Sequence, residues 1–342
     1  MTEAQWETLL AVIHGECLSP MPVGFIIDSP WLPNWAGHSI LDYFTDNRKW
    51  YDAHLQAFSA FPDAIFLPGF WAEYGMCTEP SAFGAKSVWE ENEFPFAQKL
   101  IASVAEINRI EPPNPEKDGL LPFVIKRLKH LQPEIERAGH RIKFAVARGP
   151  LNIASFLMGA TEFLTAIKTD PDKIHQLLTI ITDFLQQWIA LQRACFPSID
   201  GLLLLDDLVG FLSKASFQEF GLPYLKKIYD LDVAVKFFHN DAPCKASAPF
   251  YPEIGINLFN FGIQHTLADV KTWTGNAVTL LGNIPPRDVL ANGTPDDVKK
   301  AVTSLIQSLP DRSRVIVSCG GGMPPGVSSA NLQAFIETVR AH

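Results

Sequence analysis

Short apolar segments alternate with longer amphipathic segments along most of the chain. Eight of the apolar segments are four to seven residues long and rich in Val, Ile, Leu and Phe. Runs of this kind are typical of parallel strands that are buried on both faces. The predicted strands are residues 25–28, 64–70, 144–149, 201–207, 235–241, 256–262, 278–284 and 315–321.

Helical periodicity fills the intervals between the later strands. Residues 172–195 carry their apolar side chains on one broad stripe, as a helix packed on a sheet requires. A second helix is predicted to begin at residues 294–297, where threonine suits the cap, proline the first turn and two aspartates the positive end of the helix. A third helix is predicted near residues 328–341.

Alternation of eight strands with helices predicts a (β/α)8 barrel in a single domain, residues 1–342. The competing architecture, a doubly wound open sheet, usually has a Gly-rich first turn, and no GxGxxG sequence follows any predicted strand. The N-terminal third departs from the pattern. We interpret its helices, at 40–58, 96–108 and 119–138, and its aromatic, acidic stretch 71–94 as insertions over one barrel face. A small helical subdomain is the alternative.

Composition narrows the class of protein. Of the 342 residues, 47% are hydrophobic, which supports a large core. The net charge of −9 disfavours nucleic-acid binding. Neither a membrane span nor a secretory signal is expected, because long apolar runs are missing and the first 18 residues contain three glutamates. Five scattered cysteines without a CxxC pair are typical of free thiols in a cytoplasmic protein.

In a barrel of this kind, reactive groups gather at the carboxyl ends of the strands. Polar or aromatic side chains stand at these ends on all eight predicted strands. We therefore predict one site at this end of the barrel. Its candidate substrate-binding residues are Asp28, Trp71, Arg148, Asn260 and Asn283, and its candidate catalytic residues are Asp206, Asp207 and His239.

Three of the strand-end residues have the chemistry of zinc ligands. They are His239, Asp241 and Cys319. His239 and Asp241 are two residues apart on one strand, so their side chains point to the same face. The alternative is that His239 is a hydrogen-bonded polar residue and Cys319 a packed thiol.

Two further positions allow more than one reading. One of Asp206 and Asp207 is expected to point into the barrel mouth, where it would act as a base, a metal ligand or a hydrogen-bond acceptor. Its alternative role is to cap the segment that follows.

Arg148 would hold a substrate carboxylate, or form an ion pair with one of the strand-end acids.

The chain resembles the uroporphyrinogen decarboxylase superfamily over nearly its whole length. The resemblance rests on short motifs after the strands and at helix starts, which are specific when taken together. They include Gly149-Pro150, Met158-Gly159, Asp206-Asp207, Phe220-Gly221-Leu222-Pro223-Tyr224, Leu281-Gly282-Asn283-Ile284, Gly293-Thr294-Pro295 and Ser318-Cys319-Gly320-Gly321-Gly322-Met323-Pro324. The fold that the resemblance implies is again a (β/α)8 barrel.

One branch of the superfamily decarboxylates an octacarboxylate tetrapyrrole without a cofactor. Its first strand ends in an Arg-Gln-Ala-Gly-Arg motif. The matching stretch here, Ile27-Asp28-Ser29-Pro30-Trp31-Leu32-Pro33, has neither arginine and contains an aspartate. A carboxylate in that place would repel the substrate carboxylates. The resemblance therefore disfavours true uroporphyrinogen decarboxylation.

The other branch contains corrinoid-dependent methyltransferases. Its thiol-methylating members carry His-x-Cys on the fifth strand and a later Cys, which together hold zinc. His239 and Cys319 match this pattern, whereas Asp241 replaces the middle Cys. A zinc ion with fewer thiolates is a harder Lewis acid, which suits a methyl ether better than a thiol.

The resemblance thus implies a methyltransferase that works with a separate corrinoid-binding protein. The small methyl donor or acceptor, a methoxylated compound, a thiol or tetrahydrofolate, would bind in the mouth, and homodimerisation is possible. The alternatives are a metal-free decarboxylase or lyase that uses Arg148 as its carboxylate anchor, and a non-catalytic binding barrel.

Overall fold

The computed structural model describes residues 1–27 and 30–342. Its strands, numbered in chain order, confirm all eight predicted segments with ends that differ by a few residues. They are β1 Val23–Ile26, β2 Ala64–Leu67, β3 Ser87–Val88, β4 Phe96–Ala97, β5 Phe144–Arg148, β6 Gly201–Leu205, β7 Val235–Asn240, β8 Leu258–Phe261, β9 Thr279–Ile284 and β10 Val315–Cys319. The short β3 and β4 pair with each other, outside the main sheet.

The α-helices of the described residues lie between and around these strands. They are α1 Glu3–Ile13, α2 Trp31–Trp35, α3 Ile40–Thr45, α4 Asn47–Ala60, α5 Thr78–Ala82, α6 Leu121–Arg137, α7 Pro150–Met158, α8 Ala160–Thr169, α9 Pro171–Cys195, α10 Lys214–Phe220, α11 Leu222–Tyr229, α12 Tyr251–Ile254, α13 Leu267–Trp273, α14 Pro295–Ser308 and α15 Ser329–Arg340. Shorter 3-10 turns cover Val104–Arg109, Asp207–Phe211 and Ala248–Phe250, and a π-helical turn covers Pro286–Ala291.

The eight long strands form one parallel sheet with the order β2-β1-β10-β9-β8-β7-β6-β5. Pairing of β1 with β10 brings the first and last strands together and curls the sheet. The (β/α)8 barrel is therefore confirmed, and β2 and β5 form the two ends of its hydrogen-bonded ladder. We call the gap between these two strands the seam.

At the seam, side chains form hydrogen bonds with backbone groups of β5. The Gln192 amide of α9 accepts from Val146 N–H and donates to Val146 C=O, both at 3.0 Å. The Glu79 carboxylate accepts from Arg148 N–H at 3.2 Å. These groups replace a neighbouring strand, because a buried backbone N–H or C=O needs a partner.

Helix α1 closes the amino end of the barrel. Its apolar side chains join the inward-facing residues of the strands in one buried cluster, and the Trp6 and Phe144 rings meet edge to face at 5.6 Å. Thr279, at the start of β9, donates to the backbone carbonyl of Val12. The carboxyl end is therefore the end at which a substrate can enter.

Two of the helix predictions in the N-terminal third need correction. Residues 40–58 form two helices, because the Asp46 side chain caps the second by accepting from Arg48 N–H and Lys49 N–H. The prediction of a helix over 96–108 was right only at its end, where Val104–Arg109 forms a 3-10 turn. Before that turn, Phe96–Ala97 forms β4, and Leu100 N–H and Ile101 N–H both donate to the Leu157 carbonyl of α7.

The clearest helix predictions were confirmed. Helix α14 starts with the predicted Thr294 cap, which forms a capping box with Asp297.

In the described part of the chain, no single helix has both the length and the apolarity to cross a membrane. Helices α7 and α8 reach that length only together, and they are bent by 105° where they meet.

Candidate active site

His239 is the centre of the polar cluster at the barrel mouth. It lies near the end of β7, and its side chain is only 8% exposed. The ring nitrogen Nδ1 is 2.8 Å from Asn260 Oδ1 on the neighbouring strand β8. The other nitrogen, Nε2, is 3.8 Å from Asp207 Oδ1 and 3.7 Å from Asp241 Oδ2.

Asp207 and Asp241 form the solvent-facing side of this cluster. Their side chains are 41% and 50% exposed, and Asp207 Oδ1 accepts from the backbone N–H of Asp241 at 2.7 Å. The Asp241 carboxylate lies against Gly321, where an added Cβ would be 2.2 Å from Oδ1. Gly321 also has a φ of +90°, so the position favours glycine on both grounds. The sequence left open which of Asp206 and Asp207 faces the mouth, and the structure answers that it is Asp207.

The two carboxylates favour the charged form of the histidine. Burial by itself lowers the pKa of His239, but Asp241, Asp207 and the Asn260 hydrogen bond raise it, and the net direction is upward. Burial raises the pKa of Asp241, against the opposing effect of the His239 charge. The cluster therefore favours a proton on Nε2.

Asp206 is completely buried and bonds to the start of α7. Its carboxylate accepts from the backbone N–H groups of Leu151 and Asn152 at 2.9 and 3.0 Å. These are among the first N–H groups of α7, so Asp206 caps a helix, although not the segment that follows it. Burial raises the pKa of Asp206 well above its usual value, whereas the two N–H groups lower it. An added Cβ on Gly149 would lie 2.2 Å from this carboxylate, so the contact requires glycine there.

Arg148 is buried in an ion-pair cluster. Its guanidinium lies 2.9 Å from Glu73 Oε2 and 3.8 Å from Glu79 Oε2, and both glutamate side chains are at most 4% exposed. Glu73 comes from the loop after β2 and Glu79 from the first turn of α5, across the seam. Burial raises the pKa of Glu79 even though Arg148 opposes the shift. The ion-pair alternative for Arg148 therefore fits, with Glu73 and Glu79 in place of strand-end acids.

Glu73 and Glu79 were not singled out in the sequence. The available signal was two acids embedded in the apolar and aromatic stretch that begins at Phe70. Acids in such a setting require a buried cation, and Arg148 is that cation.

The remaining candidates have structural contacts. Trp71 is 5% exposed and packs in the buried cluster that α1 forms with the inward-facing strand residues. Its backbone carbonyl accepts from Trp50 Nε1. The Asn283 amide donates to the carbonyls of His265 at 2.7 Å and Gly262 at 3.3 Å, which holds the loop after β8. Asp28 lies outside the described residues.

Asn260 is buried beneath the mouth and does not line its surface. Its side chain has no solvent exposure, and its amide links β8 to both β9 and β10. The structure thus brings Asn260, His239, Asp207 and Asp241 into one cluster. Arg148 and Asp206 do not join it, because Arg148 pairs with Glu73 and Glu79 and the Asp206 carboxylate caps α7.

The predicted zinc ligands do not fit a three-ligand site. Cys319 is buried, and its thiol contacts the Gly321 carbonyl at 3.2 Å. Within residues 1–27 and 30–342, no three His, Cys, Asp or Glu side chains are placed to hold a metal ion. Zinc binding by His239, Asp241 and Cys319 stays a prediction, and no chemical step below depends on it.

A surface cleft of about 310 Å³ opens beside Asp241. Its other lining residues combine apolar and polar side chains and come from the loops after β8, β9 and β10. They are Gly262, Ile263, Gln264, Pro285, Pro286, Arg287, Asp288 and Gly320. The cleft has room for a small organic molecule next to the His239 cluster.

Comparison with known sequences places these features in context. The model of the uroporphyrinogen decarboxylase (URO-D) family matches residues 5–342. A uroporphyrinogen decarboxylase from a Synechococcus species is 26% identical over 360 residues, covering 98% of this chain and 97% of the relative. The same enzyme from Xylella fastidiosa is 26% identical over 278 residues, which cover 76% of each chain.

Similar solved structures support the fold. A methyltransferase from Methanosarcina mazei superposes with a TM-score of 0.83 at 18% identity, covering 98% of both chains. A B12-independent methionine synthase from a Shewanella species superposes with a TM-score of 0.60 at 11% identity, covering 94% of this chain and 98% of the other. At these identities the likeness concerns the barrel and not the reaction.

Proposed function

Because the chain belongs to the uroporphyrinogen decarboxylase family, we propose that it is an enzyme of the methyltransferase branch of that superfamily. It exchanges a methyl group between a corrinoid-bearing partner protein and a small molecule bound at the barrel mouth. The observation that carries the proposal is the charge pattern of the mouth. A buried histidine directs one nitrogen between two partly exposed carboxylates.

This charge pattern argues against a polycarboxylate substrate. Asp207 and Asp241 would repel substrate carboxylates, and Arg148 is already hydrogen-bonded to the buried Glu73 and ion-paired with the buried Glu79. Like charges that face each other in a desolvated interface cost several kcal/mol. A neutral methyl compound meets no such repulsion.

His239 supplies the acid that the leaving group needs. As the bond between the methyl carbon and an oxygen breaks, negative charge develops on that oxygen. The proton on His239 Nε2 moves to the oxygen, and a neutral hydroxyl compound leaves. In the reverse direction neutral His239 receives the proton. General acid–base help of this kind is worth roughly 100- to 10,000-fold in rate.

The other residues keep this proton in place and position the substrate. Asp207 and Asp241 favour the protonated ring, and Asp207 also holds the backbone of Asp241. The cleft beside Asp241 receives the part of the small molecule that does not react, against Ile263 and Pro285. When the partner protein is bound, its corrinoid accepts or donates the methyl group. Homodimerisation and a cytoplasmic location stay predictions from the sequence.

A second candidate function is decarboxylation, which is the activity named for the curated relatives. It requires a cation to hold the substrate carboxylates. The cleft offers Arg287 for this purpose, next to Asp288 and Asp241. The two candidates differ in their products, so one set of assays separates them.

The test combines the purified protein with free corrinoid reduced to cobalt(I), used as the probe in place of the partner protein. Methoxylated aromatic compounds, methylated amines and methyl thioethers are offered in turn, and methyl transfer is followed by corrinoid absorbance and mass spectrometry. We expect transfer from at least one class and a loss of about 100-fold or more in His239→Gln. The matched control is His130→Gln, at an exposed histidine on α6, which should keep the full rate.

Decarboxylation of uroporphyrinogen without methyl transfer from any class would overturn the proposal in favour of the second candidate. Metal analysis of the same protein, prepared without added metal or a His-tag, decides the zinc prediction. One zinc per chain that disappears in His239→Ala would support it, and transfer by zinc-free protein would support the acid route alone.

A further inference from the structure

The amide of Asn260 has only one orientation that satisfies its neighbours. Its Nδ2 lies 2.8 Å from the Leu281 carbonyl on β9 and 3.3 Å from the Cys319 carbonyl on β10. Carbonyl oxygens only accept, so the NH2 group must face them. With the side chain fully buried, the opposite orientation would place three oxygens together. The Oδ1 atom therefore faces His239.

This orientation determines where the histidine carries its hydrogen. Asn260 Oδ1 only accepts, and it lies 2.8 Å from His239 Nδ1. Nδ1 must therefore be the protonated nitrogen in the neutral ring. In a protein, the hydrogen bond made by one ring nitrogen sets which nitrogen of the neutral ring carries the hydrogen. The lone pair is left on Nε2, which points between Asp207 and Asp241.

We infer that Asn260 is a positioning residue that holds His239 in the Nδ1–H tautomer, so that proton exchange with a bound substrate takes place only at Nε2. The inference rests on the role proposed above for His239. The hydrogen bonds that carry it join four neighbouring strands, because Asn260 on β8 contacts β7, β9 and β10. The ring orientation is thus tied to the register of the barrel itself.

The charged groups around the ring act on the other nitrogen. Asp207 and Asp241 face the Nε2 side, where they stabilise the second proton of the charged ring, and Arg148 has the opposite effect. The backbone carbonyl of His239 is occupied separately, since it accepts from Asp206 N–H at 3.0 Å. Among the described residues, Asn260 Oδ1 is the partner that the structure gives to Nδ1.

The test reads the tautomer directly by NMR. The protein is labelled with 15N in its nine histidines, and the His239 resonances are assigned by their absence in His239→Gln. At a pH where the ring is neutral, the nitrogen shifts must report hydrogen on Nδ1 in the unmodified protein. Hydrogen on Nε2 in that spectrum would overturn the inference without any variant.

Two variants of similar size then isolate the role of the amide. Asn260→Asp keeps an oxygen that accepts from Nδ1, and its second oxygen, which faces the Leu281 and Cys319 carbonyls, must carry a proton. The tautomer should therefore be retained, at some cost in stability. Asn260→Leu removes that acceptor, so hydrogen should move in part to Nε2. A leucine variant that folds, as judged by circular dichroism, and keeps Nδ1–H would contradict the inference.

Activity provides the second readout. Methyl transfer should fall by about 10- to 100-fold in Asn260→Leu, as is common when the orienting partner of a functional histidine is lost. Asn260→Asp should restore part of that loss, which a merely structural role would not predict. If the tautomer responds as expected but no variant changes any activity, the proposed function fails and the assignment of Asn260 stands.

Discussion

Two charged clusters lie at the same end of the barrel and differ in how their charges are used. The first, around the end of β5, contains Arg148, Glu73, Glu79 and the capping carboxylate of Asp206, all buried. The second, around the end of β7, consists of His239, Asp207 and Asp241, with both carboxylates about half exposed.

The difference is in the direction of the bonds. In the first cluster the charged groups face one another or a helix terminus, which leaves little capacity for a ligand. In the second cluster His239 is bonded through Nδ1, while Nε2 has two acids at 3.7 and 3.8 Å, beyond direct hydrogen-bond distance. Both clusters thus lie at strand ends. They differ in whether their polar atoms can still bond to a ligand, and this difference separates the candidate active site from the structural cluster.

The largest effect is expected from Arg148→Met. This change leaves Glu73 and Glu79 buried without their cation, which should lower the free energy of unfolding by about 3–5 kcal/mol. Urea unfolding followed by circular dichroism measures the change. The matched control is Arg48→Met on α4, whose ion pairs with Asp52 and Glu134 are exposed, and there we expect a much smaller change. Equal losses in the two variants would remove the basis for calling the first cluster structural.

An intermediate effect is expected from Asp206→Ala. Two buried N–H groups of α7 lose their acceptor, which should cost about 2 kcal/mol in stability. The neighbouring change Asp207→Ala should alter stability less but reduce methyl transfer, because it removes a carboxylate beside His239. If Asp206→Ala had the same free energy of unfolding as the unmodified protein but lost methyl transfer, Asp206 would belong to the active site and not to the structural cluster.

The smallest effect is expected in the pH dependence of stability. The pKa of His239 is raised in the folded protein above its unfolded value of about 6.5. Its contribution is therefore complete below about pH 6.5 and is lost as the pH rises through the folded value. The difference in unfolding free energy between the unmodified protein and His239→Gln should shrink as the solution is made more alkaline. A difference that grew with pH would mean that burial outweighs the two carboxylates.

Local sequence patterns were sufficient for most of the framework. The apolar runs located all eight barrel strands, and the Thr294 motif located the start of α14. The first part of the helix predicted over 96–108 does not form, because Leu100 N–H and Ile101 N–H bond to the Leu157 carbonyl, far away in the sequence. A periodicity argument considers only neighbours along the chain and cannot detect such a bond.

The sequence by itself determined that this chain builds a parallel barrel and that its polar residues gather at the carboxyl ends of the strands, because strand burial and helix capping depend on nearby residues. Only the tertiary structure decided which of those polar residues remain open to a ligand. Asp206 and Asp207 are neighbours in sequence, yet one caps α7 and the other faces His239. Asn260 meets His239 across 21 positions through the pairing of β7 with β8. Such partners are chosen by strand register and loop packing, which bring together residues that no local pattern relates.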